Sequence, residues 1–89
     1  MTVEDVNTKL KSDFADEMED ANTYFDMAKT MEHEGQTTAA AGLYEIAKDE
    51  YTHAEFIRKY LVDNGIYIST DQLNMFDTLE ERICRKFRL

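Results

Sequence analysis

The chain has 89 residues, 43% of them hydrophobic and 11% aromatic, with no proline, three glycines and one cysteine. That length makes one small domain, residues 1–89, whose own core is limited, so self-association is expected. Net charge is −9, unevenly spread: the first 81 residues hold all 19 acidic and six of the ten basic residues, hence −13, while Arg82, Arg85, Lys86 and Arg88 bring +4. A nucleic-acid partner needs a broad basic face, which so short a tail does not supply, and the acidic body attracts cations instead.

Three further classes are set aside. No apolar run approaches the roughly 20 residues of a membrane span, and no basic-then-apolar leader opens the chain. Lone Cys84 excludes an intrachain disulfide, and without a Cys-x-x-Cys pair there is no thiolate-bound zinc or iron. A soluble cytoplasmic protein is expected, with an all-α fold, since neither a sandwich nor a βαβ pattern is visible.

The first helix is read over 3–33. Thr2 followed by Asp5 opens it as a capping pair, with Glu4 and Asp5 favouring the positive end of the dipole. Val3, Val6, Leu10, Phe14, Glu17, Ala21, Tyr24, Ala28 and Met31 then recur at steps of three and four, and Met18 and Phe25 widen the stripe. One position, Glu17, is wrong for a core. Gly35 ends the pattern as a left-handed cap and turn residue.

The second helix is read over 36–63 and stops at Asn64-Gly65. Its seam is Ala39, Leu43, Ile46, Glu50, His53, Ile57 and Tyr60. Two long helices joined by a short turn form an antiparallel hairpin. Gly42 marks either close helix approach or simple tolerance. Ser69 and Gln72 then cap a shorter amphipathic helix, 70–87, carrying Leu73, Phe76, Leu79 or Glu80, Ile83 and Phe87, which either closes its own hairpin or swaps onto a neighbour.

Glu50 and His53 stand three apart and therefore share a helix face. A carboxylate in a dry interface costs several kcal/mol unless it finds a partner, a proton or a metal ion. In an antiparallel hairpin, residues equally far from the turn lie at one height. Position 17 and the midpoint of 50 and 53 average about 34, beside Gly35. Glu17, Glu50 and His53 are therefore expected at one level, facing inward. One hairpin supplies two carboxylates and one imidazole, a poor site. Two hairpins supply a Glu from each of two helices and a Glu-x-x-His from each of the others, the ligand set of a ferritin-like di-metal bundle. Oxygen-rich ligands with some imidazole suit iron, with manganese possible and a single zinc per dimer less suited.

At these residues the chain resembles the rubrerythrin branch of the ferritin-like superfamily. The likeness covers about 14–61 and rests on Glu17 with Ala21 and Tyr24, Gly35 in the turn, and Glu50-Tyr-Thr-His53-Ala54. It implies that Glu17, Glu50 and His53 are the catalytic metal ligands, and that Tyr24 supports them by hydrogen bonding from behind. Two iron ions per homodimer would be oxidised by O2 or H2O2. Unlike rubrerythrins, the chain carries one hairpin and no rubredoxin domain, so any electron donor is external. In that respect it is similar to encapsulated ferritins, whose site assembles between subunits, although no tail for targeting to a protein nanocompartment is visible. Assembly beyond the dimer into a higher homo-oligomer is left open. The competing reading is a non-catalytic helical dimerisation protein whose three polar residues form a vestigial, structural-metal or metal-free layer that sets register.

Overall fold

The computed structural model describes residues 1–89 as three helices and no strand: α1 (Val3–His33), α2 (Thr37–Asp63) and α3 (Thr70–Phe87). Each boundary has a local cause. Thr2 accepts the Asp5 amide while the Asp5 carboxylate accepts the Thr2 amide, closing a reciprocal cap at α1. At the other end Gly35 takes φ +75°, and the Gly35 and Gln36 amides donate to the Glu32 and Met31 carbonyls. That pairing satisfies carbonyls the helix would otherwise leave open. The same motif recurs after α2, where Gly65 (φ +66°) and Ile66 donate to Val62 and Leu61. Ile66 packs against the core there, anchoring the connection to α3.

Ser69 and Gln72 repeat the reciprocal cap at α3. Ser69→Ala is expected to cost about 1 kcal/mol, the usual loss at such a position. Chemical denaturation measures it, and an unchanged midpoint would show that α3 does not depend on this cap.

The hairpin core is built from Phe14, Met18, Ala21, Phe25 and Ala28 on α1 against Ala40, Tyr44, Ala47, Tyr51, Ala54, Ile57 and Leu61 on α2. Alanines on both helices let the backbones approach, and the larger side chains fill the space above and below them. Of the expected α2 seam Ile57 is buried, while the rest of the buried stripe is displaced by one residue from Ala39, Leu43, Ile46 and Tyr60. Ala39 and Ile46 are exposed, Leu43 and Tyr60 half-buried. The reason is charge: the stripe through Ala40, Ala47 and Ala54 contains no ionised group at the interface, whereas the expected one is broken by Glu50 and His53. Methionines are not uniformly interior either, since Met27 and Met75 are 45% and 47% exposed. Gly42 faces open space, with nothing within 4 Å of where a Cβ would stand, so close approach does not explain it within one chain.

Helix α3 closes its own hairpin. Phe76, Leu79 and Ile83 are buried, and the Phe76 ring lies 6.1 Å from Phe14 and 5.6 Å from Tyr51 between centroids. Leu79, not Glu80, is the core residue of that turn. The basic end of α3 reaches across α1: Arg82 donates to Asn22 and Asp26 at 2.7 and 2.5 Å and lies 4.2 Å over the Phe25 ring. Lys86 sits over Tyr44 and donates to Glu32 at 3.3 Å, and this ammonium holds the Glu32 carboxyl below the usual carboxylate range. No helix is long and apolar enough to cross a membrane.

Candidate metal centre

Helix geometry brings Glu17 together with Glu50 and His53, 33 and 36 residues further along the sequence. Glu17 lies near the middle of α1 and Glu50 and His53 near the middle of α2, so an antiparallel hairpin sets them at one height. One donor atom from each lies within 4.8 Å of the others. His53 Nδ1 lies 3.4 Å from Glu17 Oε2, long for a hydrogen bond and better described as two metal-donor atoms facing a common point.

The three do not face the hairpin interior as expected. The helices meet through the neighbouring stripe, which turns Glu17 and Glu50 to half-buried positions and leaves the His53 side chain 58% exposed. They stand on the face opposite α3. Around them Leu10, Tyr24, Met31, Leu43 and Tyr60 are only partly covered, at the seven-residue spacing that continues one face along each helix. Tyr24 makes no hydrogen bond to Glu17, Glu50 or His53 within the chain, so its expected supporting contact is absent from a single hairpin. Tyr60 is engaged elsewhere, donating to Asn7 at 2.7 Å.

Electrostatics show what the cluster lacks. The Glu50 carboxyl is pushed up to about 7 from an ordinary 4.5, first by its hydrogen bond with Glu17, then by burial and by the charge of Glu17; Asp20 adds to this and His53 opposes it. Two carboxyl groups this close cannot both be ionised cheaply, so Glu50 keeps its proton to a higher pH than an ordinary carboxyl. A cation at the same place removes the conflict by taking the proton's position, and two carboxylates with one imidazole suit iron, manganese or zinc. The donor set therefore fits a metal ion, with a full coordination shell requiring more ligands than one chain supplies.

The family model described as Ferritin-like domain matches residues 7–84, nearly the whole chain. The chain belongs to the ferritin-like domain family. No curated protein and no solved structure gives a match. The all-helical fold and the carboxylate and imidazole cluster fit a metal-binding ferritin-like protein, and this fold commonly binds iron.

On the covered side of this ferritin-like chain, sequence reasoning missed Tyr51. Its hydroxyl lies 3.0 Å from Glu55 and 3.1 Å from Glu80, and burial, followed by those two carboxylates, pushes the phenol well above its ordinary value. It ties α2 to α3 directly behind the Glu50 and His53 turn. The available signal was Tyr44 and Tyr51 at a seven-residue spacing, in line with Ala40, Ala47 and Ala54.

Proposed function

We propose that two copies of the chain pair through the face opposite α3, completing a four-helix bundle that holds two iron ions and oxidises Fe(II) with O2 or H2O2. The observation that carries this reading is the convergence of Glu17, Glu50 and His53 at the middle of an otherwise apolar, uncovered face. A second copy closing over this face would bury these charges, which is costly without a cation, and it supplies the missing ligands from the same three positions.

Each residue has a stated task. Glu50, once deprotonated, would hold iron through its carboxylate. Glu17 would hold iron as a second carboxylate, and its approach to His53 Nδ1 steers the imidazole. His53 would present a ring nitrogen as a ligand, and Tyr24 packs beside the carboxylates once the partner's face closes over it. Iron held there supplies the one-electron steps that O2 or H2O2 reduction requires. Re-reduction of the iron would draw on an electron donor, and the single free thiol fits a reducing cytoplasm.

Metal content and solution mass test the arrangement together. Protein loaded with iron or manganese is expected to hold about one ion per chain and to run at about twice the chain mass. A content near half an ion per chain, zinc retained without oxygen reactivity, indicates a single structural ion. Indifference to a chelator together with a one-chain mass removes the bundle site.

A further inference from the structure

We infer that divalent metal controls pairing: the metal-free chain stays single, and two copies close over the face opposite α3 only when ions occupy it. This rests on the two-copy reading of Glu17, Glu50 and His53 and adds how that site is regulated, with assembly and metal binding as one coupled event.

The uncovered face gathers charge of one sign. Glu17 and Glu50 meet His53 with donor atoms within 4.8 Å of one another. Asp20, three residues after Glu17, shares its side of α1 and acts on Glu50 through its charge. Asp13, four residues before Glu17, is matched by Lys9 at 2.7 Å. The other lysines and arginines that hold a carboxylate are committed elsewhere, to Asp63, Asp26, Glu81 and Glu32. Glu17, Asp20 and Glu50 therefore have no lysine or arginine partner, and two copies bring six such carboxylates to one interface. Two divalent ions return four positive charges, which match Glu17 and Glu50 of both copies and leave Asp20, which is exposed, to water.

Apolar contact alone does not overcome this opposition. Leu10, Tyr24, Met31, Leu43 and Tyr60 are already partly covered within their own chain, so pairing removes only the rest of their surface from water. Against it stand the charge of −9 on each copy and the loss of water from Glu17 and Glu50, whose ionised carboxylates are costly to bury unmatched. An ion ligated from both copies removes that cost and adds bonds that exist only in the pair. Reciprocity then requires pairing to raise metal affinity by the same factor by which metal raises pairing. A single chain, with two carboxylates and one imidazole, holds an ion weakly, so a half-built iron centre is not left open to water and oxidant.

Sedimentation equilibrium at pH 8, with Mn(II) alone as the probe, tests this without oxidation chemistry. In chelator the wild type is expected at the mass of one chain. Excess Mn(II) is expected to strengthen pairing at least about 100-fold, toward the upper end of ordinary coupling between sites, and to do so with the square of its free concentration. The double variant Glu17→Gln with Glu50→Gln keeps the shape and removes the charge, so it is expected to pair in chelator and to ignore Mn(II), with unchanged helicity. A wild type that already pairs in chelator and does not respond to Mn(II) overturns the switch and leaves the bundle standing. A wild type that stays single with Mn(II) present overturns the two-copy reading together with the switch. A double variant that stays single in chelator shows that charge is not what keeps the metal-free chains apart, and overturns the inference. Salt alone matching the effect of Mn(II) overturns it too, since screening acts on the whole −9 and not on these residues.

Discussion

Glu50→Ala is expected to slow aerobic Fe(II) oxidation at least about 100-fold, the upper end of what loss of even an outer partner costs a metal site. Glu50 is the residue on which both sides of the cluster depend. The neighbouring Glu17 carboxyl and burial hold it up to about 7, so below that pH it binds a cation only by giving up its proton. Iron uptake by the wild type should therefore rise with pH through about 7. Stability of the metal-free chain moves the other way. Between 4.5, the ordinary value of a glutamate, and about 7 the folded chain retains a proton that the unfolded chain has released. Stability then falls as pH increases across that window. Glu50→Gln removes the conflict while keeping the shape, so its metal-free form should melt higher than wild type at pH 8 and lose the pH dependence between 5 and 7. A variant that binds no iron yet is more stable is the signature of a site kept for function at the expense of the fold. Equal oxidation rates in wild type and Glu50→Ala would remove the proposed activity.

Phe76→Ala is expected to destabilise the chain by about 3 to 5 kcal/mol, the range for a buried aromatic truncated in a core. Phe76 is 3% exposed, contacts the rings of Phe14 and Tyr51, and carries the Arg58 guanidinium. It is the main apolar attachment of the N-terminal half of α3. Total stability of a small domain is about 5 to 15 kcal/mol, so this single change removes a large share of it. Denaturant titration at fixed protein concentration measures the loss, since association adds to apparent stability. Iron stoichiometry below the melting temperature should not change, because Glu17, Glu50 and His53 lie on the other side of the hairpin. A loss under about 1 kcal/mol would mean that α3 is held by its charged end, through Arg82 and Lys86, and not by its rings.

Much of this molecule is written locally. Thr2 with Asp5, Ser69 with Gln72, Gly35 and Gly65 mark helix ends because each satisfies backbone groups within a few residues, and such signals need no tertiary context. The common height of Glu17, Glu50 and His53 was also legible, since it follows from helix rise and the position of one turn. The inward stripe was not. Two apolar stripes run side by side on α2, one through Leu43, Ile46 and Tyr60 and one through Ala40, Tyr44, Ala47 and Tyr51. Periodicity marks both without ranking them. Packing ranks them: small alanines free of charge let the helices come close, and the stripe with the carboxylate and the imidazole is turned outward. Tyr51 escaped notice for a related reason, because its value lies in Glu55 and Glu80, and Glu80 joins it only when α3 folds back.

The residues alone determined an all-α chain, a long hairpin with a short third helix, and three ionisable groups at one level. Only the tertiary structure decided which face of that hairpin is closed by α3 and which is left uncovered. The physical reason is that helix periodicity specifies angles around each axis, while the choice of contact surface depends on how side chains of two different helices fit together.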